Sequence, residues 1–188
     1  MLISSLAISA FAQSFGFQKD EDNDAYVSGT FSYDCTKKTA WNRLVSYVNT
    51  IYVAEGNEIN VNEKNLQIVV TGCRENSKVR VNPLSGAYTD NIHYTLTLAL
   101  EDSSKVSYSF TKLSINTKAM GIVNYNKFFS VRSMLKDYER TIEQLEDDTL
   151  SKKERKELQN KANDLDSSLS KAYEVLVNRS ILIKNEIE

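Results

Sequence analysis

The sequence predicts an α+β domain, a mostly antiparallel sheet with helices on one face, and three observations carry that expectation. Apolar residues alternate with hydroxyl-bearing ones over residues 26–33 and again, in two successive runs, over 92–111, which is the period of half-buried strands. Between these runs, Trp41, Leu44, Val45, Val48 and Tyr52 recur at helical spacing. After Tyr125 the helical period returns and persists to the end of the chain. At 188 residues the chain has room for one such domain and an appendage.

Residues 1–12 carry marks of a signal peptide: an apolar run over 2–11 and the small-x-small pattern Ala10-Phe11-Ala12. The basic residue expected ahead of the run is missing. The alternative is an N-terminal helix or strand packed on the domain. Residues 13–25 turn polar through Lys19-Asp20-Glu21-Asp22-Asn23-Asp24 and read as an acidic, flexible leader. Export would place the chain in the periplasm or outside the cell. No cysteine follows the cleavage pattern, so a lipid anchor is not supported.

Residues 26–125 hold the sheet domain. In YVSGTFSY, Val27, Phe31 and Tyr33 share a phase with Gly29, opposite Ser28, Thr30 and Ser32. Thr36 is placed to cap the Trp41 helix, and Gly56 suits the left-handed position that ends it. Two short strands follow over 58–61 and 66–73. The polar stretch 74–91, which holds the only proline, Pro83, reads as a long loop whose KVRV could pair as an edge strand. Next comes a hairpin. Ile92, Tyr94, Leu96, Leu98 and Leu100 point inward, EDSS turns, and Val106, Tyr108 and Phe110 return. The phase slips at Lys112 toward Leu113 and Ile115, which predicts a bulge.

Residues 126–188 read as a helical hairpin. One heptad-like seam runs through Phe128, Val131, Leu135, Tyr138, Ile142 and Leu145. The other runs through Leu158, Ala162, Leu165, Leu169, Ala172, Leu176 and Ile183. Ser151 and Glu154 form a capping box between them. The second helix would span roughly 50 Å, longer than a small domain needs. Its far end, with Val175, Ile181, Leu182 and Ile183, therefore either projects to meet a partner or folds back on the domain.

The order strand, helix, four strands, helix, the hairpin HYTLTLALEDSSKVSYSFTKLSI and the position of Trp41 in the first helix resemble the secreted family called domain of unknown function 4468 (DUF4468). The resemblance covers about residues 26–145 and implies a fold like that of the TATA-box-binding protein (TBP). Where that family often has a basic, glycine-containing turn in the late hairpin, EDSSK stands here. The resemblance implies a fold and a compartment, with no established activity attached.

Chemistry-bearing motifs are sparse. His93 is the only histidine and lies on the polar phase of its strand, so neither a histidine-rich zinc site nor a recognisable Ser–His–acid arrangement is available. Asp20, Asp22 and Asp24 mimic the start of a calcium loop, but Ala25 and Phe31 stand where the turn glycine and closing glutamate belong. No metal or cofactor is expected. Cys35 and Cys73 make an even pair, either a disulfide or two thiols. The outward sheet residues carry hydroxyls and almost no charge, which disfavours nucleic acid. No apolar run is long enough for a membrane span. These observations predict an exported, non-catalytic module that binds a protein or a cell-envelope component. The alternative is a small-molecule carrier with its ligand between sheet and helices, in a cavity lined by Tyr94, Tyr108 and Phe110.

Overall fold

The computed structural model describes residues 15–82, 86–120 and 126–188. The proposed signal peptide, residues 1–12, lies outside them, as does Pro83. In chain order the elements are β1 (Gln18–Lys19), β2 (Ala25–Ser32), α1 (Lys37–Tyr52), β3 (Glu58–Asn62), β4 (Gln67–Asn82) and β5 (Gly86–Leu100). Then come β6 (Lys105–Met120), β7 (Asn126–Ser130), α2 (Val131–Leu145) and α3 (Lys152–Ile187). The strands form one antiparallel sheet in the order β1-β2-β6-β5-β4-β3, with β7 also paired to β6.

The expected hairpin forms the centre of this sheet. Ile92, Tyr94, Leu96, Leu98 and Leu100 are all buried, as are Val106 and Phe110 opposite them. Lys112 adopts the left-handed region at φ 53°, and the β5–β6 register slips beside it, between His93 and Thr95. The slip puts Leu113 and Ile115 back into the core. It also divides the edge of β6: β2 pairs with its first half and β7 with its second. Thr36 caps α1 by accepting from the Thr39 amide, and Gly56 turns the chain at φ 75° into β3.

Four expectations are corrected. Residues 74–91 do not form a loop. β4 and β5 continue through them as a paired ribbon, from Arg74–His93 to Asn82–Gly86. Ladder hydrogen bonds hold this part, which is why it lacks an apolar period. Phe128 belongs to a strand and not to the first turn of α2. Ser130 caps that helix by accepting from the Ser133 amide, and Phe128 is 59% exposed. Residues 13–25 are no flexible leader where they are described. Phe15 and Phe17 are buried edge to face against Tyr138 and Tyr173 of the two last helices. The acidic run after them is an ordered turn in which Asp20 accepts from the amides of Asp22 and Asp24.

The fourth correction concerns α3, which was expected to pack on α2, its far end either projecting to a partner or folding back on the domain. It packs on α2 and the far end folds back, but α3 also lies on the sheet itself, touching β2, β4, β5 and β6, with α1 packed against it as well. Leu169, Ala172, Leu176, Ile183 and Ile187 are fully buried. Burying five such side chains contributes on the order of 10 kcal/mol before entropy, enough to hold that half of the helix down. Arg43 of α1 anchors the last turn by donating to the Ile187 carbonyl at 2.7 Å. The end that extends past the core is the N-terminal one, whose first turns are exposed and begin at the predicted Ser151–Glu154 capping box.

Candidate functional site

Sheet and helices part where β5, β6 and β7 run beyond the core beneath the α2–α3 hairpin, and the opening is a cleft of about 510 Å³. Phe129, Met134 and Leu165 supply apolar walls, and Asp137, Asn160 and Lys161 stand among the polar lining residues. Thr117 of β6 and Ser168 of α3 also line it. Both hydroxyls donate to the buried carboxylate of Asp90, Thr117 to Oδ1 at 2.7 Å and Ser168 to Oδ2 at 3.0 Å. With their protons committed to Asp90, the two hydroxyl oxygens can offer only lone pairs to anything in the cleft. The arrangement suits an amphipathic group with a hydrogen-bond donor at its polar end.

A second polar cluster lies farther along α3. Arg179 Nε donates to Glu75 Oε1 at 2.8 Å, and Arg179 Nη1 donates to the Tyr47 hydroxyl at 3.2 Å. Tyr94 donates to the same Glu75 oxygen, and its hydroxyl lies 3.5 Å from that of Tyr52. The guanidinium carbon sits 5.5 Å from the Tyr52 ring centre, over its face. Burial is the largest single influence on Arg179 and opposes its charge, but the Glu75 hydrogen bond and charge together with Tyr52 and Tyr47 outweigh it and hold the guanidinium protonated. Burial first, and neighbouring Tyr52 and Glu75 next, hold the Tyr94 phenol far above its ordinary range. Such groups do not exchange protons near neutral pH, so this cluster joins α1, α3, β4 and β5 rather than acting as acid or base.

The sequence-predicted site residues fall as follows. Tyr94 and Phe110 are buried with rings edge to face at 5.3 Å, and Tyr108 packs against Phe110 at 5.7 Å and over Phe31. The three rings pack on one another, and none of them lines the cleft between sheet and helices. Of the expected partner contacts, Ile183 is buried in the core and Val175 is half-buried, whereas Ile181 and Leu182 are 48% and 53% exposed. Cys35 and Cys73 are free thiols. Cys35 follows β2 and Cys73 lies within β4, strands that are three steps apart in the sheet, about 14 Å, well beyond disulfide reach. Burial pushes the Cys73 thiol up to about 12. His93 faces outward as expected, with Phe128 tilted against its ring at 5.3 Å. Burial, then Arg74 and Lys118, hold its imidazole below the usual value, and Nε2 has no partner.

Sequence reasoning passed over Asp90, Glu75 and Arg179, although each left a signal. Asp90 is in phase with Ile92 and Tyr94, which puts a carboxylate on the core side of the strand. Arg179 interrupts the apolar seam between Leu176 and Ile183. Glu75 gave less warning, because the register shift after Val70 hides its place opposite Ile92.

Neither a protein-family model nor a curated protein sequence matches this chain. Two solved structures do. One is a TBP-like protein from Parabacteroides distasonis ATCC 8503, with a TM-score of 0.60 and 9% identity, covering 89% of this chain and 95% of that one. The other is a DUF4468 family protein from Bacteroides ovatus ATCC 8483, with a TM-score of 0.51 and 13% identity, covering 87% of this chain and 88% of that one. At such identities the likeness concerns fold and says nothing of activity. The chain therefore has the TBP-like α+β fold that the DUF4468 structure also shows, as its element order led one to expect.

Proposed function

We propose that this chain is an exported, non-catalytic binding module that holds part of a protein or of a cell-envelope component in the cleft between the sheet and the α2–α3 hairpin. The observation that carries this reading is the buried Asp90–Thr117–Ser168 trio at the wall of an opening that pairs an apolar side, Phe129, Met134 and Leu165, with a polar one. The two hydroxyls satisfy the buried carboxylate, and Asp90, by taking their protons, leaves their lone pairs for the donors of a ligand. Export is supported by the apolar opening run and the Ala10-Phe11-Ala12 pattern. The non-catalytic reading is supported by the surroundings of His93, which pairs with no hydroxyl or thiol nucleophile among the described residues. The outward face of β2, β5 and β6, with Ser28, Thr30, Thr95, Thr97, Ser107 and Ser109 in register, carries mostly hydroxyls, and Lys105 and Lys118 of β6 are too few and too far apart to track a phosphate backbone. Among the described residues no helix is long and apolar enough to cross a membrane.

The test compares the wild type with Asn160→Trp, which fills the cleft from an exposed rim position. Envelope extract is passed over both, and any component retained is then titrated against both by calorimetry. The reading expects binding to the wild type and at least a tenfold loss in the variant. Equal binding would remove the cleft from consideration. One observation favours a second reading, a small-molecule carrier: the cleft volume lies in the range of small-ligand sites. Native mass spectrometry of protein purified from its own host separates the two, since a carrier would retain an adduct of small-molecule mass that Asn160→Trp lacks.

A further inference from the structure

A second cleft, of about 400 Å³, lies at the sheet edge where β3 meets β4 and takes its side chains from the outward face. It is lined by Glu55, Gly56, Asn57, Gly72, Arg74 and His93. Its shape comes from two left-handed glycines, Gly56 at φ 75° in the loop after α1 and Gly72 at φ 81° in the β4 bulge. The bulge sets two residues of β4 against one of β5, and the register resumes with Arg74 beside His93.

Two opposite charges therefore share one cleft. Neither Arg74 nor Glu55 forms an ion pair, with the other or with any described residue. Glu55 is held from one side only: Asn57 Nδ2 donates to its Oε2 at 3.2 Å and to the Tyr52 carbonyl at 3.1 Å. His93 adds a ring nitrogen, Nε2, that is shut off from water and has no hydrogen-bond partner. Phe128 lies against that ring. An anion alone would meet Arg74 but be repelled by Glu55, and a cation alone would meet the converse. A ligand with both charges a few bonds apart satisfies both walls, its carboxylate forked on the guanidinium and its ammonium on Glu55.

We propose that this cleft binds a free α-amino acid, with Arg74 taking the carboxylate and Glu55 the ammonium, beside the ring of His93. The site is independent of the cleft beside Asp90, which opens on the helix-bearing face. The single histidine provides the assay, because its imidazole Hε1 resonance needs no assignment. The full chain is titrated with the common L-α-amino acids, and then with the N-acetyl and methyl-ester forms of any that binds. A saturable shift of the His93 resonance is expected for at least one amino acid, with both blocked forms at least about tenfold weaker. Arg74→Ala and Glu55→Gln, both at exposed positions, should each weaken binding by about tenfold or more while leaving the unfolding midpoint unchanged. The proposal is overturned if no amino acid moves the resonance, if the blocked forms bind as well as the free one, or if both variants bind like the wild type.

Discussion

Arg179→Met removes the guanidinium while keeping a long apolar stem on α3. In the native chain the Arg179 and Glu75 side chains are only 12% and 21% exposed. Deleting Arg179 leaves the Glu75 carboxylate mostly buried with the Tyr94 hydroxyl as its remaining contact from this cluster. Deleting one member of a buried ion pair costs about 3–5 kcal/mol, and the residual water contact of both groups argues for the lower end, about 3 kcal/mol. For a domain of this size that lowers the thermal midpoint by roughly 6–12 °C. Urea unfolding followed by Trp41, the only tryptophan and a half-buried residue of α1, measures it directly. Adding Glu75→Leu to Arg179→Met should recover at least half of the loss, because the stranded charge goes with it. A loss under about 1 kcal/mol, or a double variant less stable than Arg179→Met alone, would refute the argument that charge burial dominates here.

Ser104 occupies the left-handed region at φ 55° in the β5–β6 turn, a conformation that favours glycine. Ser104→Gly should raise stability by about 0.5–1 kcal/mol in denaturant titration, the relief of the Cβ clash less the added chain entropy. Cys73, with its thiol near 12, presents a thiolate in only about one molecule in 10⁴ at pH 8. Native alkylation should therefore modify Cys35 alone, and Cys73 only on unfolding; mass spectrometry would count the adducts. His93 has a folded value below its ordinary 6.5, so as pH falls from 6.5 the unfolded state gains a proton that the native state refuses. Stability should fall across that window until the folded value is reached. His93→Gln should flatten the slope measured by chemical unfolding at stepped pH.

Where side-chain pattern and burial coincide, the fold was legible. The alternation of residues 92–111 specified the central hairpin, and the slip at Lys112 appeared as a phase change before it appeared as a dihedral angle. The ribbon over residues 74–91 was not legible, because its stability comes from backbone pairing that leaves no apolar period. Phe128 misled for a different reason. A five-residue strand leading directly into a helix places an aromatic ring three residues ahead of Val131, which imitates helical spacing. The position of α3 was hidden because its seam would bury equally well against another helix or against a sheet. Only Arg179, a charge on that seam, hinted that a carboxylate waited on the surface beneath it. The cleft at Asp90 unites residues far apart in the chain, and its one local sign was an acid on the inward phase of β5.

Hydrogen exchange along α3 tests most directly the claim that this helix is the keystone on the sheet and the roof of the cleft. The amides of residues 168–187 should exchange only through global unfolding, as slowly as those of β5 around Leu96 and Leu98, while residues 152–161 exchange faster. If the C-terminal half exchanges fast and the N-terminal turns are the protected ones, the helix is not held down on the sheet and its far end projects from the domain.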